Sequence, residues 1–255
     1  MFRIKAEADQ DWSGFSSAEI SIADLSGFSA TVRREGIGSV VLAGGIGKRP
    51  EIADLRPTWR SLTGFPAFLR VFASGGDDKL LRFAIKVLER EGVRVLAAQQ
   101  VAPELLCNSG PLGSIKPGTA DFKDIAAASR AALALGQLDI GQGAVSVGGR
   151  VVALEGLEGT DAMLERVAGL RASRRLSSRY AGVLVKLCKP EQDERADLPS
   201  IGVQTVLKAH AAGLAGIAVE AGRALVLERE RVIAEADRLG VFVIGIAPRQ
   251  EEVSP

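Results

Sequence analysis

Histidine occurs once, as His210, and cysteine twice, as Cys107 and Cys188, in a chain of 255 residues. A single histidine excludes a multi-histidine zinc site, and the two cysteines belong to no CxxC pattern. Any metal is therefore expected to take oxygen ligands, with Mg²⁺ the natural choice. No apolar stretch is long enough to span a bilayer, and the opening MFRIKAEADQDW carries acids and no apolar core segment, unlike a signal peptide. A cytoplasmic location is the expectation. An excess of either charge is lacking too: 32 Lys plus Arg face 31 Asp plus Glu, which argues against a nucleic-acid partner and makes any anion site a local one. A GxGxxG with a downstream acid in a βαβ setting is also absent, which disfavours an NAD-dependent oxidoreductase.

What the chain does contain is enough apolar residue, 47%, to bury a sizeable core in two modest domains or one large one. The run from Val40 to Ala43 into Gly44 and Gly45 fits a short buried strand closed by a glycine turn. Residues 77–91 predict a helix with Leu80, Leu81, Ala84, Ile85 and Leu88 on its apolar face, followed by a strand at 93–98. A second helix is expected at 121–135, with Asp121 as N-cap and Gly136 as its stop. Residues 144–147 and 151–154 flank Gly148-Gly149 and predict a tight hairpin. A helix at 160–169, a strand at 182–187, a polar loop at 189–200 and a helix at 203–212 follow, then strands at 216–219 and 241–246 about a helix at 230–239. The fold class this predicts is α/β, with an α/β N-terminal domain over residues 1–137 and a mixed α+β C-terminal domain over residues 138–255.

Three segments carry more polar information than a core needs. Gly75-Gly76-Asp77-Asp78 is a glycine turn entering a helix, where Gly76 and Asp77 either border an anion site or simply cap the helix. In EGLEGTDAML, residues 155–164, Gly159 and Thr160 precede a helix and can face a phosphate, while Glu155, Glu158 and Asp161 can hold Mg²⁺ or a ribose. Thr160 as a plain N-cap is the alternative. Residues 182–205 deliver Lys186 and Lys189 at the end of a strand, then Gln192, Asp193, Arg195 and Asp197 in a loop. Cations to neutralise a diphosphate and a carboxylate to hold Mg²⁺ or orient water are what phosphoanhydride hydrolysis requires, although KPEQDERAD also reads as a solvated loop. His210 sits among small apolar residues on its helix and is assigned no role.

The runs GGDDKLL (75–81), LDIGQGAVSV (138–147), EGTDAML (158–164), KLCKPEQDERADLPSIG (186–202) and GLAGIAVEAGRALVL (213–227) resemble, in order and spacing, the signature segments of the LpxI-type UDP-2,3-diacylglucosamine pyrophosphatases. The resemblance implies a Mg²⁺-dependent hydrolase of lipid A (lipopolysaccharide) biosynthesis in a Gram-negative bacterium, releasing UMP and 2,3-diacylglucosamine 1-phosphate. It also implies a Rossmann-like N-terminal domain, a homodimer and peripheral contact with the inner membrane. The family's key aspartate falls on Asp197, as catalytic group and metal ligand. Gln142, Glu155, Thr160, Asp161, Lys186 and Lys189 lie in or beside matching motifs and are candidate substrate contacts, together with Gly76, Asp77, Gly159, Gln192 and Arg195. The family's opening strand and glycine loop have no counterpart here, so the N-terminal sheet is expected to be one strand short. A non-catalytic nucleotide-sugar or lipid-binding protein is the alternative function.

Overall fold

Two consecutive glycines reverse the chain inside its largest sheet: Gly148 and Gly149 take φ of 64° and 83°, values that suit a two-residue hairpin and that side chains resist. The computed structural model describes residues 2–4, 14–20, 25–44, 77–90, 92–190 and 192–247. Its described residues fall into two compact units, divided between Ala98 and Gln99.

In the first unit, strands β1 (Phe2–Ile4) and β2 (Ala18–Ile20) pair in parallel and helix α1 (Leu25–Arg34) follows. Strand β3 (Ser39–Val41) pairs in parallel with β4 (Arg94–Leu96), and helix α2 (Asp77–Arg90) lies between them in sequence. Period decides both elements: Ile85 and Leu88, three apart, are buried on α2, while Val93, Val95 and Ala97 alternate inward along β4.

The second unit carries a six-stranded mixed sheet. After α3 (Ala98–Val101) come β5 (Gly110–Pro111), α4 (Thr119–Gln137), β6 (Gly143–Val147), β7 (Arg150–Leu154), α5 (Gly159–Ala172) and β8 (Val183–Lys186). Then follow β9 (Ser200–Ile201), α6 (Val203–Ala211), β10 (Gly216–Glu220), β11 (Leu225–Val226), α7 (Arg229–Leu239) and β12 (Phe242–Ile246). The strand order is β5-β12-β10-β8-β6-β7, with β12, β10 and β8 parallel and β5, β6 and β7 antiparallel to their neighbours.

Side-chain alternation builds a core on each face. Val183 and Val185 join Ala144, Ala218 and Phe242 under Ile125, Ala128 and Ala132 of α4. Leu184 points the other way, with Val145, Ile217 and Val219, toward Met163, Leu164 and Val167 of α5, Val206 of α6 and Val232 of α7. Helices thus cover both faces of a mixed sheet, an α/β arrangement. The helix expected at 121–135 accordingly belongs with the second unit rather than with residues 1–137, because its apolar face supplies one whole side of that core.

Asp121 is not the N-cap of α4. That place is Gly118, and Asp121, three residues on, accepts the Gly118 N–H at 2.8 Å. The hairpin itself is locked by a side chain from α4: the buried Asp124 carboxylate accepts the Ser146 hydroxyl at 2.6 Å and the Gly148 and Gly149 amides at 3.1 and 2.6 Å.

Candidate functional site

Parallel strands present their carboxyl ends together, and in the second unit β8 and β10 do so beside the start of β6. Lys186 closes β8, in register with Val219 of β10 and Gly143 of β6. Its ammonium is buried and donates to the Ser200 carbonyl at 3.0 Å. Burial pushes its pKa below the usual lysine value, while Glu155, Asp197 and Asp161 each pull it back up. Three carboxylates therefore act electrostatically on one desolvated lysine.

Glu155 follows β7 and is itself buried. Its Oε1 accepts the Thr160 hydroxyl at 2.6 Å and its Oε2 the Gln142 amide at 3.4 Å. Gly141 and Gly143 make room for it: a Cβ at Gly141 would stand 2.2 Å from the Glu155 carbonyl oxygen, and one at Gly143 2.5 Å from Glu155 Oε2. Thr160 is therefore not a helix cap, since its hydroxyl is turned onto Glu155. Gly159, at φ 78°, opens α5, whose preceding residue Glu158 makes no side-chain cap. The Gln142 side-chain oxygen is buried with no hydrogen-bond donor in reach among the described residues.

The polar loop after β8 is folded by its own side chains. Gln192 is buried; its Oε1 accepts the Lys189 amide at 3.1 Å, and its Nε2 donates to Asp197 Oδ2 at 2.9 Å. Arg195 closes a fork on Asp193, with its Nε 2.9 Å from Oδ1 and its terminal nitrogen 2.7 Å from Oδ2. Lys189 reaches back to Asp139, 2.7 Å away. The loop is thus tied down rather than solvated along its length.

Two anchoring residues lie outside the sequence-based selection. Glu220, buried at the end of β10, accepts the Cys188 amide at 3.1 Å. Arg223 donates to Glu220 at 3.4 Å and to Glu194 at 2.8 Å, joining β10 to the loop. The available sequence signal was an acid terminating an otherwise apolar strand, GIAVE, at its carboxyl end.

The remaining expected site residues divide. Asp161 lies 3.2 Å from Lys208, which also holds Glu165 at 2.7 Å, so this acid is partly committed to a surface network. Glu158 pairs with Arg166 at 2.9 Å. Gly76 lies outside the described residues, and Asp77 is the first residue of α2 in the other unit.

No cluster of three His, Cys, Asp or Glu side chains among the described residues forms a ready metal cage. Mg²⁺ commonly takes one or two carboxylates and completes its octahedron with water and substrate phosphate. Asp197 is exposed, its oxygens are chemically able to hold such an ion, and buried Lys186 lies in its electrostatic neighbourhood.

A family model described as the LpxI C-terminal domain matches residues 108–244, and one described as the LpxI N-terminal domain matches residues 1–105. The UDP-2,3-diacylglucosamine pyrophosphatase LpxI of Caulobacter vibrioides is 43% identical over 251 residues, covering 98% of this chain and 89% of that protein. The chain belongs to the LpxI family.

Proposed function

We propose that this protein hydrolyses the pyrophosphate bond of UDP-2,3-diacylglucosamine, giving UMP and 2,3-diacylglucosamine 1-phosphate on the path to lipid A. The observation that carries this is the gathering of Lys186, Glu155, Thr160, Gln192 and Asp197 at one end of the second unit's sheet, in a chain of this family. A water oxygen bonds to the α-phosphorus, the bond from that phosphorus to the bridging oxygen breaks, and the bridging oxygen leaves with the sugar phosphate. The water's proton passes to solvent or a carboxylate.

Each side chain has a part. Lys186 sits where it can neutralise the diphosphate, and the charge of the bound substrate favours its ammonium form. Glu155 holds Thr160 and the Gln142 amide in place at the start of α5. Lys189 and Arg195 lie farther along the loop as further cations for the phosphates. Gln192 fixes the carboxylate of Asp197, which orients the attacking water and would hold Mg²⁺. Bound Mg²⁺ would supply charge neutralisation at the phosphoryl oxygens.

The diacyl part of the substrate needs apolar surface. Leu138 and Ile140 precede Gly141, and Leu154 and Leu157 flank Glu155; all four are exposed, Leu157 at 89%. We assign the acyl chains to this rim. No described helix is long and apolar enough to cross a membrane, in keeping with the proposal of a cytoplasmic protein in peripheral contact with the inner membrane. A homodimer, and a Rossmann-like first unit built on the parallel β3–β4 pair, complete the proposal.

The test is hydrolysis in ¹⁸O water across a Mg²⁺ titration. Label in UMP, stimulation by Mg²⁺ and faster turnover of acylated than of unacylated nucleotide sugar are expected. Label in the sugar phosphate would move the attack to the other phosphorus, and tight binding without turnover would favour a nucleotide-sugar binder.

A further inference from the structure

Away from Lys186, where the hairpin of β6 and β7 turns, the second unit carries a cavity of about 590 Å³ that is open to solvent on one side. Its apolar wall comes from Val147, Val151, Leu170 and Leu176, and its polar edge from Arg150, Arg175, Ser177 and Tyr180. β6 runs from Gly143, beside Lys186, to Val147, beside this cavity, so the two places occupy opposite ends of one strand.

The charge around the cavity is one-sided. From Arg166 to Pro190 the chain contains no Asp or Glu, in a protein whose overall charge is +1. The guanidinium groups of Arg150, Arg174 and Arg175 form no ion pair or hydrogen bond among the described residues. Arg179 lies 5.5 Å from the centre of the Tyr180 ring. Asp124 of α4, which reaches the hairpin turn, is buried and spends its carboxylate on Ser146 and the two turn amides.

Arg171 makes the wall rigid. It donates to the carbonyls of Ala212, Ser177, Tyr180 and Ala181, the last at 2.5 Å, and so holds the loop that carries Ser177 and Tyr180. The Tyr180 ring packs on the turn, 2.9 Å from where a Cβ of Gly148 would be. A half-open hollow with one apolar wall and unpaired guanidinium groups at its edge matches an anionic head on an apolar tail.

We infer that this cavity is a second ligand site, separate from the Lys186 end of the sheet, for a single anionic amphiphile: a phosphate or carboxylate head at Arg150 and Arg175 with an alkyl tail on Val147, Val151 and Leu170. It stands whether or not the chain cleaves a nucleotide sugar.

Dodecyl phosphate, kept below its micellar concentration, is the probe, and calorimetric titration of the full chain is the measurement. Saturable binding is expected, weakened about tenfold or more by Arg175→Glu and by the Arg150→Ala, Arg175→Ala double change, each an exposed substitution that spares the fold. Lys186→Met should leave this binding intact, and Arg175→Glu should leave UMP release intact, so failure here is distinguishable from failure of the hydrolase reading. Equal binding by Arg175→Glu and the unaltered chain would overturn the site. Inorganic phosphate binding as tightly as dodecyl phosphate would reduce it to a bare anion patch. Association with phosphatidylglycerol vesicles but not with monomeric dodecyl phosphate would replace it with bilayer docking.

Discussion

Gln192 donates from Nε2 to Asp197 Oδ2 at 2.9 Å, and its own carbonyl oxygen is held by the Lys189 amide at 3.1 Å. The carboxylate assigned the chemistry is therefore oriented by a buried amide that the loop backbone fixes in turn. Gln192→Ala should lower kcat by about tenfold, the scale expected when the hydrogen bond that orients a reacting carboxylate is lost, with little change in KM. A rise in KM with kcat unchanged would assign Gln192 to substrate binding alone.

Lys186 makes stability depend on pH with a defined sign. Its folded pKa lies below the usual 10.5, so between those two values the unfolded chain holds more proton and stability rises with pH. Lys186→Met removes this contribution. Thermal melts of both proteins from neutral pH to about 10.5 should show the unaltered chain gaining stability relative to the variant. Parallel curves would mean that the lysine keeps an ordinary pKa.

Asp124 is the structural counterpart of the site carboxylates. Asp124→Ala strands a buried hydroxyl and two turn amides, and should cost about 2–4 kcal/mol in denaturant unfolding. A cost near zero would show that water or a rearranged turn replaces all three bonds.

The two thiols are protected by burial. Cys188 is pushed up to about 12, by desolvation first and against the opposing pull of Arg223, and Cys107 to about 11, again by desolvation. Iodoacetamide near pH 8 should leave both unmodified in the folded chain and label both after denaturation, as read by intact mass. Rapid labelling of native Cys188 would show that the loop after β8 opens.

Much of the second unit was legible because its periods are unambiguous: the alternation around Gly148-Gly149 gave the hairpin, and the run GVLVK the central strand. Grouping was less accessible. The helix at 119–137 continues the strand–helix alternation of the N-terminal half in sequence, and only three-dimensional packing shows Ile125 and Ala128 lying on Val183 and Val185. Strands of two residues, such as β9 and β11, are too short to leave a pattern. Within the site, charge and strand ends pointed to Lys186 and Glu155, and the family resemblance to Asp197, whereas Glu220 and Arg223 were hidden because their partners are a distant amide and Glu194.

The central claim is that Asp197 carries the hydrolysis. Its neighbour Asp193 is occupied by the Arg195 fork, which makes it a control of the same charge in the same loop. The direct measurement is Mg²⁺-dependent UMP release from UDP-2,3-diacylglucosamine by Asp197→Ala and Asp193→Ala, with melting temperature and substrate affinity determined for each. Asp197→Ala should lose about 10²-fold or more in turnover while melting and binding close to the unaltered chain; Asp193→Ala should keep most of its activity. Equal loss in both variants, or near-normal UMP release from a folded Asp197→Ala protein, would contradict the assignment.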